Sequence, residues 1–91
     1  MNALRSEAYH FAELAARELE DLITVDFMDE EIFVDIDATD EGQGFILIRT
    51  TPSKAGELSA RFADSVSITD GDKTHEVSLF IRPLTPKARM I

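Results

Sequence analysis

"HFAELAARELEDLITVDFMDEEIFVDID", residues 10–37, changes its hydrophobic period part-way along. Up to Leu22 the apolar residues recur every three or four positions, which is the spacing of one helix face. From Ile23 onward apolar and polar residues alternate, which is typical of a strand with one buried side. The change of period therefore predicts a long helix that leads directly into a sheet.

The helix is expected from about residue 3 to residue 22. Its apolar face consists of Leu4, Ala8, Phe11, Ala15, Leu19 and Leu22. A tight hairpin is expected next, with Asp29 and Glu30 at its turn. The inward positions of its two strands are Ile23, Val25 and Phe27, then Ile32, Val34 and Ile36.

Residues 45–48 are apolar on both faces, which is typical of a strand in the middle of a sheet. Thr51 and Pro52 form an N-cap followed by a first-turn proline, so a short helix is expected from there to about Ala63. Two more strands are expected around residues 66–68 and 77–81.

The loop DGDK joins these last two strands, and its length sets their register. A four-residue loop places Ile68 opposite His75 and Val66 opposite Val77, which keeps the apolar residues on one side. We therefore predict the four-residue loop.

These elements predict a single α+β domain over residues 1–82, followed by a basic C-terminal tail over residues 83–91. The predicted architecture is a long N-terminal helix packed on a mostly antiparallel five-stranded sheet, in the order α-β-β-β-α-β-β. A chain of 91 residues has room for one small core.

Charge is distributed unevenly along the chain, whose formal net charge is −9. Residues 1–41 hold thirteen acids and two bases, whereas residues 42–91 hold five acids and seven bases. Direct binding to nucleic acid or to an anionic membrane surface depends on clustered Lys and Arg, so neither is expected. A basic protein partner fits the acidic half better.

The location of the protein is predicted from its termini and apolar runs. Arg5, Glu7 and His10 interrupt the first apolar residues, so no signal peptide is expected. No run approaches the ~18 apolar residues of a membrane span. The chain also lacks Cys, which excludes disulfides and thiolate chemistry. A cytoplasmic protein is the expectation.

The residue types of the chain do not form a complete catalytic or metal-binding pattern. Asp35 and Asp37 put two carboxylates on one side of a strand, but a calcium loop counted from Asp37 has Ile48 where a glutamate is required. His10 and His75 lie at unrelated positions, and no serine has the glycine-flanked setting of a nucleophile. We therefore predict a protein that is not an enzyme and has no metal and no cofactor.

An apolar patch is expected on the sheet face that points away from the long helix. Met28, Phe33, part of residues 45–48 and Phe80 all point to that side. Patches of this kind on small proteins usually mark an interaction site. The patch could be covered by the second helix and the tail, by a second copy in a homodimer, or by a foreign partner.

The principal functional hypothesis is an inhibitor or adaptor that docks a carboxylate-rich face onto a basic partner. Such a surface can imitate nucleic acid and block a nucleic-acid-binding protein, as inhibitors encoded by phages and mobile elements do. The predicted partner-binding residues combine outward acids with two apolar anchors: Glu18, Asp21, Asp26, Asp29, Glu30, Glu31, Phe33, Asp35, Asp37, Asp40, Glu41 and Phe80.

A second hypothesis comes from a resemblance. The acidic helix, the segment VDFMDEEIFVDID and the segment ILIRTTPSKAGELSA are similar to the opening two thirds of a frataxin. The resemblance implies iron binding on an acidic ridge and docking on iron–sulfur assembly machinery. The ridge would consist of Glu18, Glu20, Asp21, Asp26 and Asp29.

A third hypothesis is self-assembly, in which the acidic half of one copy meets Lys87 and Arg89 in the tail of the next. Against all three stands the simple alternative that the carboxylates only keep a small domain in solution.

Overall fold

A computed structural model describes residues 2–23 and 31–84 of the chain. These residues form two helices and four strands. In chain order the elements are α1 (Ala3–Ile23), β1 (Ile32–Ala38), β2 (Gly44–Thr50), α2 (Pro52–Arg61), β3 (Ser65–Asp70) and β4 (Lys73–Pro83). The predicted α+β class and the long first helix are confirmed.

The four strands form one mixed sheet in the order β1-β2-β4-β3. β1 and β3 run antiparallel to their neighbours, but the central pair, β2 and β4, runs parallel. The prediction of five mostly antiparallel strands is therefore wrong in its details. Its extra strand, through Val25 and Phe27, lies outside the described residues.

The parallel pair arises from the path of the chain after β2. α2 carries the chain past β4 to the far edge of the sheet, where β3 begins. The tight turn after β3 then reverses the chain, so β4 fills the place between β3 and β2 and runs parallel to β2. No residue pattern in the sequence encodes this insertion.

α1 lies across one face of the sheet and contacts all four strands. Its buried side includes Ala8, Ala12 and Ala15, which are short enough to let the helix approach the strands closely. The closest approach is at Gly44, where a Cβ atom would lie 2.6 Å from the carbonyl oxygen of Ala8. Glycine is therefore required at this position by the packing of α1 on β2.

α2 begins as predicted, because Thr51 is its N-cap and accepts a hydrogen bond from the backbone N–H of Lys54 at 3.4 Å. It ends at Arg61, two residues before the predicted Ala63. Leu58 belongs to the same buried cluster as the α1 residue Phe11, so both helices pack on the same face of the sheet. α2 consequently does not cover the second face.

The register of the β3–β4 hairpin is confirmed, since Ile68 pairs with His75 and Val66 with Val77. The loop is shorter than predicted, because Asp70 and Lys73 also pair. Two residues remain in the turn, and the first of them, Gly71, has the positive φ of 66° that tight hairpin turns require.

Pairing in β4 continues one residue beyond the predicted domain end at Arg82, and the Leu84 N–H donates to the Thr50 carbonyl at 2.7 Å.

Neither helix of the described residues has the length and apolar character needed to cross a membrane.

The contact at Gly44 leads to a stability prediction. Gly44→Ala should lower the free energy of unfolding by about 1–3 kcal/mol, because the added methyl group must displace the backbone of α1. Chemical denaturation followed by far-UV circular dichroism measures the change.

Gly56→Ala is the matched control, since Gly56 lies inside α2 with no atom within 4 Å of the added Cβ. It should stabilise the protein by up to about 1 kcal/mol through helix propensity. Equal effects of the two substitutions would contradict the close packing of α1 on β2.

Candidate functional site

The side chains that point away from both helices form a separate surface, which we call the open face. Strand pairing aligns them in rows across the sheet: Phe33 pairs with Arg49 and Arg49 with Arg82, while Leu47 lies between Asp35 and Phe80. By strand alternation the open face consists of Phe33, Asp35, Asp37, Phe45, Leu47, Arg49, Ser65, Ser67, Thr69, Thr74, Glu76, Ser78, Phe80 and Arg82.

A shallow depression of about 430 Å³ lies on the open face over β2 and β4. Its lining residues are Thr39, Gln43, Phe45, Leu47, Ser78, Phe80 and Arg82. The rings of Phe45 and Phe80 meet edge to face, with their centroids 6.3 Å apart. The floor of the depression is therefore apolar and built on two interior strands of the sheet.

One end of the depression is fixed by hydrogen bonds. The Gln43 side-chain amide lies within 2.9–3.1 Å of the carbonyl oxygens of Gly44 and Glu76 and of the Ser78 hydroxyl. These contacts attach the loop between β1 and β2 to β4. The shape of this end is consequently set by the backbone of the sheet.

Arginines mark the other end of the open face. The Arg49 guanidinium lies over the Phe33 ring at 5.9 Å from its centroid, and it donates to the Asp35 carboxylate at 3.1 Å. The Arg82 guanidinium lies over the Phe80 ring at 5.6 Å. Among residues 2–23 and 31–84, no carboxylate forms an ion pair with Arg82, which donates only to the Ile81 carbonyl at 3.0 Å.

Several of the predicted partner-binding acids are engaged within the chain. Asp35 binds Arg49, as described, and Glu31 binds Lys54 at 3.0 Å. Arg5 of α1 binds Asp37 at 2.9 Å and lies 3.8 Å from Asp40. These four acids attach β1 and its adjoining loops to α1, β2 and α2.

The remaining predicted acids are divided between two sides of the molecule. Glu18 and Asp21 are exposed on α1, across the sheet from Phe33 and Phe80. Glu41 is exposed in the loop after β1, and the predicted residues Asp26, Asp29 and Glu30 lie outside the described residues. The structure thus brings together Phe33, Asp35 and Phe80, and it places the helix acids elsewhere. Their role in partner binding stays a prediction.

The sequence interpretation did not include Arg49 and Arg82 in the site. Arg49 follows the buried Ile48, and Arg82 follows the partly buried Ile81, so strand alternation places both arginines on the open face. Their adjacency depends on the parallel pairing of β2 with β4, for which the sequence gives no signal.

The two histidines belong to contacts that hold α1 to the β3–β4 hairpin. His10 lies 3.0 Å from the Asp70 carboxylate, and the His75 ring stacks on Phe11 at a centroid distance of 4.1 Å. Glu7 accepts a hydrogen bond from Lys73. Within the described ranges, no three His, Cys, Asp or Glu side chains are placed to hold a metal ion.

Comparisons with protein-family models, with curated proteins and with solved structures found no match to this chain.

Two carboxyl groups in residues 2–23 and 31–84 have pKa values shifted by their neighbours. The hydrogen bond from Arg5, with a second from the Ala38 N–H, holds the pKa of Asp37 below its ordinary value. The hydrogen bond from Lys73 does the same for the pKa of Glu7. A carboxyl whose pKa is lowered by folding stabilises the protein above its unfolded pKa of about 4, and this stabilisation is lost as the pH falls through its folded pKa.

The Arg5–Asp37 pair therefore predicts a pH-dependent effect. Arg5→Gln should reduce stability at pH 7, and the difference from the unsubstituted protein should shrink towards zero between about pH 4 and pH 2, because protonated Asp37 no longer attracts Arg5. Urea denaturation at several pH values measures the difference.

Arg17→Gln is the control, because Arg17 is an exposed arginine on the same helix. Its effect should be small at every pH. A deficit of Arg5→Gln that persists unchanged at pH 2 would show that the side chain acts through packing and not through the ion pair.

Proposed function

We propose that this is a small non-enzymatic binding protein, an adaptor or inhibitor, that holds a partner protein on its open face. The observation that carries the proposal is that both helices pack on one side of the sheet. On the other side the Phe33 and Phe80 side chains remain 48% and 41% exposed. Apolar surface of this kind on a small domain is typical of an interaction site.

The energetic gain from covering this surface is large enough to support binding. Full burial of one phenylalanine side chain contributes about 1.5–3 kcal/mol, and because Phe33 and Phe80 are 48% and 41% exposed, about half of that amount is still to be gained at each. Aromatic residues and arginine are among the types enriched at protein interfaces. Phe33 and Phe80 each lie beside such an arginine. The surrounding polar groups of Thr39, Gln43 and Ser78 provide a rim.

The proposal of a non-enzymatic role is supported by the position of the titratable groups. His10 and His75 contact Asp70 and Phe11 on the side of the sheet that the helices cover. The depression itself is lined by aromatic, aliphatic, amide, hydroxyl and guanidinium groups. A general acid or base that works near neutral pH would need a His or carboxyl group in the lining of this depression.

A second candidate function is favoured by the outer side of α1. Glu13, Glu18, Glu20 and Asp21 are exposed there, and no base in residues 2–23 or 31–84 pairs with them. The distance from Glu13 to Asp21 along the axis is about 12 Å. Over that length duplex DNA carries about seven charges, so α1 could present a short imitation of a phosphate backbone to a basic partner.

The open-face proposal predicts a specific loss of binding. The double variant Phe33→Ser/Phe80→Ser should lose the partners that the protein captures from a cell extract, with affinity lowered about tenfold to a hundredfold because two half-exposed aromatic anchors are removed. Quantitative mass spectrometry of proteins retained on the immobilised chain measures the loss.

Leu4→Ser/Leu22→Ser is the matched control, because Leu4 and Leu22 are the large exposed apolar residues of α1, at 58% and 55%. Both double variants must first show the thermal stability and amide spectrum of a folded chain. Retention of the same partners by the phenylalanine variant would refute docking through the open face.

The second candidate makes a separable prediction. Neutralising α1 with Glu13→Gln, Glu18→Gln, Glu20→Gln and Asp21→Asn should abolish capture of basic nucleic-acid-binding proteins, and about 0.5 M salt should release them from the unsubstituted chain. Capture that withstands both treatments would rule out an acidic docking surface on α1. The phenylalanine variant should keep these partners.

A further inference from the structure

We infer that the partner segment held on the open face carries a carboxylate next to an apolar side chain, with the carboxylate on Arg82 and the apolar group in the depression beside Phe80. This inference rests on the proposed function. It differs from a basic partner, which the net charge of −9 favours.

The chain contains an internal example of the contact. The Arg49 guanidinium lies over Phe33 and binds the Asp35 carboxylate at 3.1 Å. The Arg82 guanidinium lies over Phe80 in the same manner, at a similar distance from the ring. Arg49 receives its carboxylate from the neighbouring strand, whereas none of the described acids reaches Arg82.

The register of β2 with β4 is a second reason to expect a carboxylate from the partner at Arg82. Arg49 and Arg82 are paired across the parallel strands β2 and β4, on the same side of the sheet. Like charges at directly paired positions repel each other. Asp35 compensates one of the two guanidinium groups, and a carboxylate from the partner would compensate the other.

The size of the open face favours a short segment over a second copy of the chain. Four strands at ~4.8 Å spacing and about seven residues at ~3.3 Å give an area of about 440 Å² in plan. A stable dimer usually buries about 800 Å² on each partner. One extended segment, which places one or two side chains in the depression of about 430 Å³, fits this area better.

The acidic side chains of the protein do not prevent this contact. The exposed acids Glu18 and Asp21 of α1 lie on the opposite side of the sheet. A helix packed on a sheet puts its outer side chains ~10 Å or more from the far face, which exceeds the screening length of ~8 Å at physiological salt. On the open face, Asp35 is paired with Arg49. Asp37 and Glu76 lie towards its other end, where Asp37 binds Arg5 and Glu76 accepts a hydrogen bond from the Ser65 hydroxyl.

The test is selection of a phage-displayed library of random 12-residue peptides on the immobilised full chain, with counter-selection on Phe80→Ser. We expect enriched sequences with Asp or Glu within two positions of a large apolar residue. A synthetic peptide of the consensus should bind the unsubstituted chain about tenfold to a hundredfold more tightly than Arg82→Gln, since a charge-assisted hydrogen bond is lost.

Arg61→Gln is the matched control, because Arg61 also lies 5.6 Å from a phenylalanine ring, that of Phe62, but at the end of α2. It should leave the affinity unchanged. Replacing the peptide's Asp or Glu by Asn or Gln should weaken binding to the unsubstituted chain and have no further effect on Arg82→Gln.

The outcomes separate this inference from the proposed function. Enriched peptides that depend on Phe80 but are basic or neutral would overturn the carboxylate inference and leave docking on the open face intact. A failure to enrich any peptide that depends on Phe80 would overturn both. A solution mass near twice 10.2 kDa that reverts to 10.2 kDa in Phe80→Ser would identify a second copy as the occupant and would also overturn the inference.

Discussion

The close packing of α1 on β2 is the constraint on which the rest of the structure depends. Alanines on the helix and Gly44 on the strand bring the two backbones together, so one helix reaches all four strands. Because α1 covers so much of one face, α2 needs to bury only Ala55 and Leu58 to complete the same core. The two described helices therefore lie on the same side of the sheet.

The structure changes the interpretation of the acidic half of the sequence, residues 1–41. Along the sequence its carboxylates look like one continuous surface, but Glu31, Asp35 and Asp37 each bind a base from a different element. They fasten β1, an edge strand, to α2, β2 and α1. Exposed ion pairs of this kind contribute little to stability individually. Their main effect here is to fix the orientation of β1 and to compensate part of its negative charge.

The sequence predicted what depends on local pattern and missed what depends on distant pairing. The hydrophobic period predicted α1. The Thr51–Pro52 pair predicted the start of α2, and the alternation of apolar and polar residues predicted the pairing of Ile68 with His75. Strand order could not be read in this way, because the paired residues of β2 and β4 lie 33 positions apart in the chain and neither strand encodes its neighbour. The proximity of Leu47 to Phe80, and of Arg49 to Arg82, follows only from that order.

Net charge describes the whole molecule, whereas docking is decided within a screening length of ~8 Å. At the end of the open face that holds Phe33, Asp35, Leu47, Arg49, Phe80 and Arg82, one acid stands beside two bases, so the local balance there is opposite in sign to that of the chain. The composition argues against polyanions, whose affinity requires many phosphate contacts at once. A single carboxylate needs one guanidinium, and the strand order of this sheet places Arg82 beside the apolar surface that would hold the rest of the segment.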